Sequence, residues 1–276
     1  MKMTIAVAIM GGLAETKSVW GSWLGTMKGP VDLLIIDNAA TIDEGQKRFF
    51  TDFVKPKWPG KILYAAQPDN LGVVKSLQFA YENTDSDIVA FIHNDLYIYE
   101  EGWDKQVINW FTEYPETGLL GFFGAEGVHP SSGRFNVWNN MLEAEIHGWR
   151  AETHKEVAVL DGLCMIASRK MLDVREGVDL SYDVHHFYDL DLSLESLDRG
   201  FKNYILPIYC HHQSGITACK PLFQEWANGY VEDKDWTKNF EDKPTGENKL
   251  YHKNLERFKA KWSHRLPYHI GSGWSG

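Results

Sequence analysis

The segment Asp87-Ile-Val-Ala-Phe-Ile-His-Asn-Asp95 decides the fold class. Its apolar part, Ile88 to Ile92, is a short run without polar alternation, which is typical of a strand buried on both faces of a parallel sheet. Three similar runs precede it, at Thr4 to Met10, Val31 to Ile36 and Lys61 to Ala66. Apolar residues at helical spacing lie between these runs. The first 120 or so residues therefore predict an α/β fold, with a mostly parallel central sheet and helices on both faces.

The pattern changes in the middle of the chain. Residues 124–156 are rich in Gly, Pro, Ser, Asn and Trp without a clear period, so we predict a long, partly ordered loop region there. Regular elements then return. The sequence predicts strands at 157–160, 163–167 and 203–209 and helices at 189–199 and 250–262.

The composition of the 276 residues excludes several classes of protein. A hydrophobic content of 43% at this length is sufficient for a large buried core. The net charge of −10 disfavours nucleic acid and anionic lipid as partners. The apolar run after Lys2 is too short to span a membrane and is broken by a Gly-Gly pair, so we interpret it as a strand and not as a signal peptide. Cys164, Cys210 and Cys219 lack Cys-x-x-Cys spacing and are predicted to be free thiols of a cytoplasmic protein.

Polar side chains follow two of the predicted strands, at the edge where ligands collect in open parallel sheets. Asp37 and Asn38 follow the second strand, and His93, Asn94 and Asp95 follow the fourth. Each group alone also suits an ordinary turn after a strand. Two such groups together favour a ligand site.

Phosphate binding would require a metal ion here. The Gly-x-Gly-x-x-Gly string at 271–276 has neither a preceding strand nor room for a helix, so we reject it as a phosphate cradle. The charge of a bound nucleoside diphosphate would then need a metal ion to neutralise it. Asp95 is the natural ligand for Mn²⁺ or Mg²⁺, and His211 or His212 offers an imidazole that Mn²⁺ also accepts. The alternative is that these histidines are ordinary polar loop residues.

Two further carboxylates, Asp189 and Asp191, open the helix predicted at 189–199. The helix dipole favours acids in a first turn, so capping is one explanation. Their alternation with apolar residues, directly after His185-His186-Phe187, is more typical of the wall of a site.

The polar motifs follow one another in a fixed order over residues 4–215. They are Ile36-Asp37-Asn38, Asn70-Leu-Gly72, His93-Asn94-Asp95, Asp161-Gly162, Phe187-Tyr-Asp189-Leu-Asp191-Leu192, Gly200-Phe-Lys, and Pro207 before His211-His212. This order resembles that of family-2-type glycosyltransferases with the GT-A fold. The resemblance implies inverting transfer of a sugar from a nucleoside-diphosphate sugar, with UDP as the expected nucleotide and Mn²⁺ or Mg²⁺ as cofactor, to a hydroxyl acceptor such as a glycan.

The same resemblance suggests how the chain is organised. We predict one GT-A domain over residues 1–215, with a nucleotide-binding half at 1–120 and an acceptor and catalytic half at 121–215. Residues 216–276 are predicted to form a C-terminal extension packed on the same domain.

Carried over residue by residue, the resemblance assigns the nucleotide side of the site. Asp37 is expected to bind the uracil or the ribose, and the other residues expected around the nucleotide are Asn38, Asn70, Gly72, Lys75, Asn94 and Asp95. Asp95 matches the last acid of the family's Asp-x-Asp motif, and His211 or His212 matches its metal-binding histidine. His93 stands where the family has the first acid, so one negative charge is missing from the expected metal site.

The catalytic side depends on Asp189, which matches the family's catalytic base. A sugar hydroxyl is a poor nucleophile, so a positioned carboxylate must take its proton during attack on the donor. Lys75 and Arg134 could add positive charge near the diphosphate. Flat aromatic rings cover the apolar faces of sugars, and the residues predicted near the acceptor are Trp138, Trp149, Asp161, Gly162 and Asp191.

Two other classes of protein stay open at this point. A nucleotidyltransferase that makes sugar nucleotides uses a related sheet and a metal ion, but it opens with a Gly-rich, basic loop of which residues 10–17 carry only a trace. A non-catalytic carbohydrate-binding protein would keep the aromatic residues without needing Asp189, and His93 favours this class. Nucleotide release from sugar nucleotides distinguishes the three.

Overall fold

The computed structural model describes residues 1–10, 13–38, 44–142, 148–213 and 246–275. The helices of these ranges are α1 (Leu13–Thr26), α2 (Glu44–Phe49), α3 (Gly72–Glu82), α4 (Trp103–Glu113), α5 (Arg169–Arg175), α6 (Tyr188–Asp198) and α7 (Gly246–Trp262). A π-helical turn, Phe50–Val54, extends α2. The strands are β1 (Met3–Ile9), β2 (Asp32–Asp37), β3 (Ile62–Ala66), β4 (Ile88–Ile92), β5 (Leu96–Ile98), β6 (Thr117–Gly121), β7 (Phe123–Val128), β8 (Arg134–Asn139), β9 (Trp149–Arg150), β10 (Lys155–Val157), β11 (Val159–Leu160), β12 (Cys164–Ser168), β13 (Lys202–Ile205), β14 (Cys210–His212), β15 (Tyr268–His269) and β16 (Gly273–Trp274).

An eight-stranded sheet in the order β10-β13-β6-β12-β4-β1-β2-β3 forms the centre of the fold. β3, β2, β1 and β4 run parallel, and β12 then pairs antiparallel with both β4 and β6. β13 is parallel to β6, and β10 is antiparallel to β13. Six strands thus share one direction, which confirms the predicted α/β class with a mostly parallel sheet.

Hydrophobic burial explains why three of the four predicted strands, β1, β2 and β4, lie inside the sheet. The prediction of a strand buried on both faces is wrong for the fourth, because β3 forms the edge of the sheet and three of its five residues are exposed. Every residue of β4 is buried, and the N-terminal apolar run forms β1, between β2 and β4. Two separate hydrophobic clusters cover the two faces of the sheet. Trp23 of α1 and Trp103 of α4 belong to one cluster, and Val74 of α3 and Leu194 of α6 belong to the other. Helices therefore cover both faces, as the periodicity predicts.

The prediction of a loop region at 124–156 is wrong for much of that range. β7 and β8 form an antiparallel pair there, and β15, β16 and β11 complete this second sheet on the other side of β7. The glycines belong to the strands: a Cβ on Gly127 would lie 2.0 Å from the ring of Phe135 in the facing strand. Five of the six residues of β8 are half-buried or exposed, so no alternation marks it in the sequence.

Several smaller predictions have separate outcomes. Cys164 and Cys210 are buried free thiols, as predicted, and Cys219 lies outside the described residues. Among the helices of the described ranges, none combines the length and the apolar composition that crossing a bilayer demands. The cytoplasmic location and the division of the chain at residue 215 stay predictions.

Candidate functional site

A cavity of about 690 Å³ lies at the carboxyl ends of β1, β2 and β4. Met10 lines it after β1, Asn38 after β2 and His93 after β4. Further lining comes from the first turns of α3 and from residues 184–190, which lead into α6. The cavity therefore occupies the edge of the sheet at which parallel α/β folds place their ligands.

Three side chains in the lining form a cluster with the composition of a metal site. His93, Asp95 and His212 place one ligand atom each within 4.8 Å of one another. Nε2 of His212 lies 3.1 Å from Oδ1 of Asp95, and Nδ1 of His93 lies 3.9 Å from the same oxygen. Mn²⁺ accepts two imidazoles and a carboxylate, whereas Mg²⁺ prefers oxygen ligands. This donor set therefore fits Mn²⁺ better than Mg²⁺.

A two-stranded antiparallel ribbon brings His212 to Asp95. β14 pairs with β5 so that His212 lies opposite Leu96 and His211 lies opposite Tyr97. Consecutive side chains of a strand point to opposite faces. The His211 ring accordingly lies 5.8 Å from the Tyr97 ring, on the other face of the ribbon from His212. Of the two histidines between which the sequence leaves the choice open, the structure brings His212 to the cluster and places His211 outside it.

His93 lies inside this cluster, at the position where the sequence pattern predicts that one negative charge is missing. Burial lowers the pKa of His93 against the opposing charge of Asp95, so its imidazole is neutral at pH 7 and keeps a lone pair for a metal. Burial acts to raise the pKa of Asp95, but the hydrogen bond with His212 and, at the acid pH where the carboxyl group titrates, the charge of protonated His93 outweigh burial and lower it. The cluster thus offers an ionised carboxylate beside a neutral imidazole.

Four of the residues predicted around the nucleotide line the cavity: Asn38, Asn70, Gly72 and Asn94. Asn70 Oδ1 accepts a 2.9 Å hydrogen bond from the Gly72 backbone, and this turn opens α3. Gly72 has a φ of 67° and lies so close to Val184 that a Cβ would be 2.7 Å from the Val184 Cα. Glycine is therefore required at this contact between α3 and the segment that precedes α6.

Two other predicted nucleotide residues lie outside the cavity lining in the described part of the chain. Asp37 ends β2 and is 1% exposed, because its Oδ2 accepts a 2.5 Å hydrogen bond from the Tyr64 hydroxyl of β3. Lys75 lies on the exposed face of α3, whereas Val74 and Ser76 on either side of it are buried. Neither residue belongs to the lining of the cavity, and their contacts with a nucleotide stay predictions.

One guanidinium group holds two carboxylates together in the same cavity. Arg134, the first residue of β8, donates from Nη1 to Asp161 Oδ2 at 2.8 Å and from Nη2 to Asp189 Oδ2 at 2.5 Å. The backbone N–H of Gly162 donates to the same Asp189 oxygen at 3.2 Å. Asp161 and Gly162 precede β12, so the predicted acceptor residues lie against the predicted base.

The two carboxyl groups differ in acidity. Burial raises the pKa of Asp189, and the charge of Arg134 offsets this rise only in part. At Asp161, burial is outweighed by the charge of Arg134 and by a hydrogen bond from the Leu163 backbone, and the pKa is lowered. Asp189 is therefore the stronger base of the pair.

Comparison with known proteins assigns the chain to a family. The sequence profile of the glycosyltransferase-like family matches residues 70–234, which is more than half of the chain. The chain belongs to this family. The matched range contains the three cluster residues and Asp189, and it begins after Asp37. No curated protein sequence matches this glycosyltransferase-like chain significantly.

Solved structures share its fold at low sequence identity. GalNAc-T7, crystallised with UDP, GalNAc and Mn²⁺, is 10% identical, with a TM-score of 0.60 over 82% of this chain and 48% of its own. Residues 1–349 of TarS from S. aureus are 16% identical, with a TM-score of 0.54 over 77% of this chain and 60% of that fragment. The mannosyltransferase PcManGT of Pyrobaculum calidifontis, in complex with GDP-Man and Mn²⁺, is 12% identical, with a TM-score of 0.57 over 95% of this chain and 70% of its own. This chain thus spans about half of GalNAc-T7, 60% of the 1–349 fragment of TarS and 38% of the longer TarS chain, and the similarities confirm the predicted GT-A type fold.

Three residues predicted near the acceptor lie apart from the cavity lining of the described chain. Asp191 is 2% exposed and accepts hydrogen bonds from Trp262 and Lys261 of α7, at 2.7 and 2.8 Å. It joins α6 to α7 instead of facing the cavity. Trp138 and Trp149 lie on the paired strands β8 and β9 with their ring centroids 5.6 Å apart, and Trp149 is 58% exposed.

The segment 183–187 supplies cavity wall through a strained backbone. Val184, His186 and Phe187 have φ angles of 55°, 69° and 63°, which are rare for residues other than glycine. The backbone carbonyl of Val184 accepts hydrogen bonds from the first turn of α3 at 2.6 and 3.1 Å. The fully buried Asn254 of α7 binds the segment from the other side, through the backbones of Asp183 and His185. No local pattern in the sequence predicts the contact between Asn254 and this segment.

Proposed function

We propose that this chain is an inverting glycosyltransferase, which moves a sugar from a UDP-sugar to a hydroxyl acceptor such as a glycan, with Asp189 as the base. One observation carries the proposal: a single cavity at the carboxyl edge of the sheet contains both the His93, Asp95 and His212 cluster and the Asp189 carboxylate. Membership in the glycosyltransferase-like family supports the reaction class. UDP and Mn²⁺ in the structure of GalNAc-T7 support the donor and the ion.

His93, Asp95 and His212 are the residues that would hold a divalent ion, and their donor set favours Mn²⁺. Bound there, the ion supplies positive charge to the departing diphosphate. Asn38, Asn70 and the Gly72 backbone line the part of the cavity next to β2 and α3, where we place the nucleoside.

We assign Asp189 as the group that takes a proton on the acceptor side. A chain of contacts separates it from the metal cluster: His93 Nε2 lies 3.4 Å from the Tyr188 hydroxyl, and that hydroxyl lies 3.4 Å from the Gly162 carbonyl oxygen. The Gly162 N–H then donates to Asp189. A sugar bound between the cluster and the base would meet its leaving group on one side and its nucleophile on the other. This arrangement favours inversion.

In the proposed step the acceptor oxygen forms a bond to C1 of the donor sugar as the bond from C1 to the diphosphate oxygen breaks. The hydroxyl proton passes to the Asp189 carboxylate. Burial raises the pKa of Asp189, against the opposing charge of Arg134, and this makes it a better base than an exposed aspartate.

The test is the Asp189→Asn variant. Release of UDP from a panel of UDP-sugars in Mn²⁺, with water or an added oligosaccharide as acceptor, should fall by about 10²-fold or more because the amide cannot accept a proton. UDP affinity by calorimetry should stay unchanged. The matched control is Asp198→Asn, at the far end of the same helix, where the carboxylate pairs with Arg265 at 2.6 Å. Near-normal UDP release by Asp189→Asn would contradict the assignment of the base.

A further inference from the structure

Arg134 makes contacts that the transfer reaction, as described above, does not use. Its Nη1 and Nη2 atoms bind two different carboxylates, and both belong to the cavity lining. The guanidinium carbon also lies 5.8 Å from the ring of Phe123, which packs on one side of it. Its Nε–H is buried and has no hydrogen-bond partner among the described residues. Because its guanidinium group is planar and rigid, Arg134 controls the positions of the two carboxylates that it binds.

We propose that Arg134 is a positioning residue for the transfer reaction, which fixes the direction of the Asp189 carboxylate by tying it to Asp161. This inference rests on the proposed function of Asp189 as base. Arg134 and the Gly162 N–H both donate to Oδ2 of Asp189. That shared contact occupies Oδ2, and in this proposal Oδ1 is the oxygen that receives the acceptor's proton. Asp161 serves as the anchor, because its other oxygen, Oδ1, accepts the Leu163 N–H at 3.1 Å.

The charge of Arg134 matters as well as its shape. The groups that face Asp189 from the surrounding elements are Arg134 of β8, Asp161 before β12 and Tyr188 of α6, and His93 after β4 faces Asp161. Burial raises the pKa of Tyr188, which therefore stays neutral. If an uncharged residue replaces Arg134, the partly buried carboxylates of Asp161 and Asp189 would lie together without a cation. Burial and mutual repulsion would then raise the pKa of Asp189 further.

The sign of the pH effect follows from the role of the base. A carboxylate accepts a proton only when ionised, so activity is present above the pKa of Asp189 and is lost as the pH falls through it. Arg134→Met should move this acidic limb of the rate profile upward by about one pH unit or more. Arg134→Lys keeps the positive charge but loses the two-pronged donor group. Because the charge is kept, the acidic limb of this variant should stay near that of the wild type. Its kcat should still fall by about 10-fold to 100-fold because the base is misdirected.

The experiment measures UDP release from a UDP-sugar in Mn²⁺ from pH 5 to pH 9, for the wild type and both Arg134 variants. Arg150→Met is the matched control, since Arg150 lies on β9 over the ring of Tyr209 and outside the cavity lining. Thermal unfolding and UDP titration establish that each variant is folded and binds nucleotide. A purely structural role would lower stability without moving the acidic limb.

The outcomes separate this inference from the proposed function. An upward shift for Arg134→Met, with a lowered kcat and an unshifted limb for Arg134→Lys, supports a positioning role. A folded Arg134→Met whose profile parallels the wild type overturns it. If Arg134→Met does not fold, a kcat for Arg134→Lys within twofold of the wild type overturns it as well. Near-normal UDP release by Asp189→Asn would instead contradict the proposed role of Asp189 as the base, on which this inference rests.

Discussion

Asn254→Ala tests whether α7 holds the cavity wall in place. The side-chain amide of Asn254 is fully buried and satisfies the backbone of a strained segment. Its Oδ1 accepts from Asp183 N at 3.1 Å, and its Nδ2 donates to Asp183 O at 2.7 Å and to His185 O at 2.5 Å. Alanine removes these three hydrogen bonds and two longer ones of 3.4 Å, from Nδ2 to His186 O and from Arg257 Nη1 to Oδ1, and leaves the backbone groups without these partners.

The contacts set the size of the expected loss. Each of the three hydrogen bonds contributes about 1 kcal/mol net, so the free energy of unfolding should fall by about 3 kcal/mol. For a chain of 276 residues, this loss corresponds to a decrease in Tm of about 5 °C. The full loss applies while the hydrogen bonds that the Val184 carbonyl accepts from α3 keep the segment in place, and the loss is smaller to the extent that the segment relaxes.

Nucleotide affinity should fall in the same variant. The positive φ angles of Val184, His186 and Phe187 each cost about 1–3 kcal/mol, and the surrounding contacts must supply this free energy. Without Asn254 the segment relaxes, and nucleotide binding has to restore the wall. If the wall-forming state is populated one-tenth of the time, the Kd for UDP rises about tenfold.

Differential scanning calorimetry and isothermal titration with UDP and Mn²⁺ measure the two effects. Lys259→Ala is the matched control on the same helix, because Lys259 pairs only with the exposed Glu256 among the described residues and should change stability by less than about 0.5 kcal/mol. A Tm for Asn254→Ala within 1 °C of the control, together with an unchanged Kd, would refute the reasoning.

Three other predictions follow from the structure. Hydrogen bonds, including one from Lys261, outweigh burial and lower the pKa of Asp179 from 3.8 to about 2. The ionised carboxylate of Asp179 therefore stabilises the fold above about pH 4, and this stabilisation is lost as the pH falls to 2. In urea titrations between pH 4 and pH 2, the unfolding free energy of Asp179→Asn should fall less than that of the wild type. Equal losses in the two proteins would contradict this. Gly72→Ala should lower the unfolding free energy by about 1–3 kcal/mol through its positive φ and the contact with Val184, whereas Gly21→Ala, with open space around its Cβ in α1, should raise it by about 0.5–1 kcal/mol. UDP with Mn²⁺ should raise Tm more than either alone, and a UDP shift that a chelator leaves unchanged would argue against the metal site.

Local patterns in the sequence predict the parts of the fold that local forces determine. β4 reads as a buried strand because all its residues are apolar, and α6 reads as a helix because Leu190, Leu194 and Leu197 share one face before Gly200. The hydrophobic effect acts on such patterns directly. The central sheet and the helices on both faces were predictable for this reason.

The candidate site is formed by contacts between residues that are far apart in the sequence, and no local pattern predicts these contacts. Arg134 and Asp189 are 55 positions apart, and Asn254 and His185 are 69 apart. His93 suggests a missing negative charge when it is compared with an Asp-x-Asp motif alone. Its partnership with His212 depends on the pairing of β5 with β14, which a short strand such as Cys210–His212 does not reveal in the sequence.

The pairing of β5 with β14 also means that an ion at the candidate metal site would link two distant parts of the chain. Asp95 and His212 are 117 positions apart, so an ion shared by both would act as a removable crosslink that closes a loop of that length. By the chain-entropy relation used for disulfides, such a closure would remove about 5 kcal/mol of conformational entropy from the unfolded chain. A fragment that ends before residue 212 has only the two local ligands and loses this closure. Tight Mn²⁺ binding would therefore report that the chain has folded through β14, and chelation would open that constraint without breaking a covalent bond.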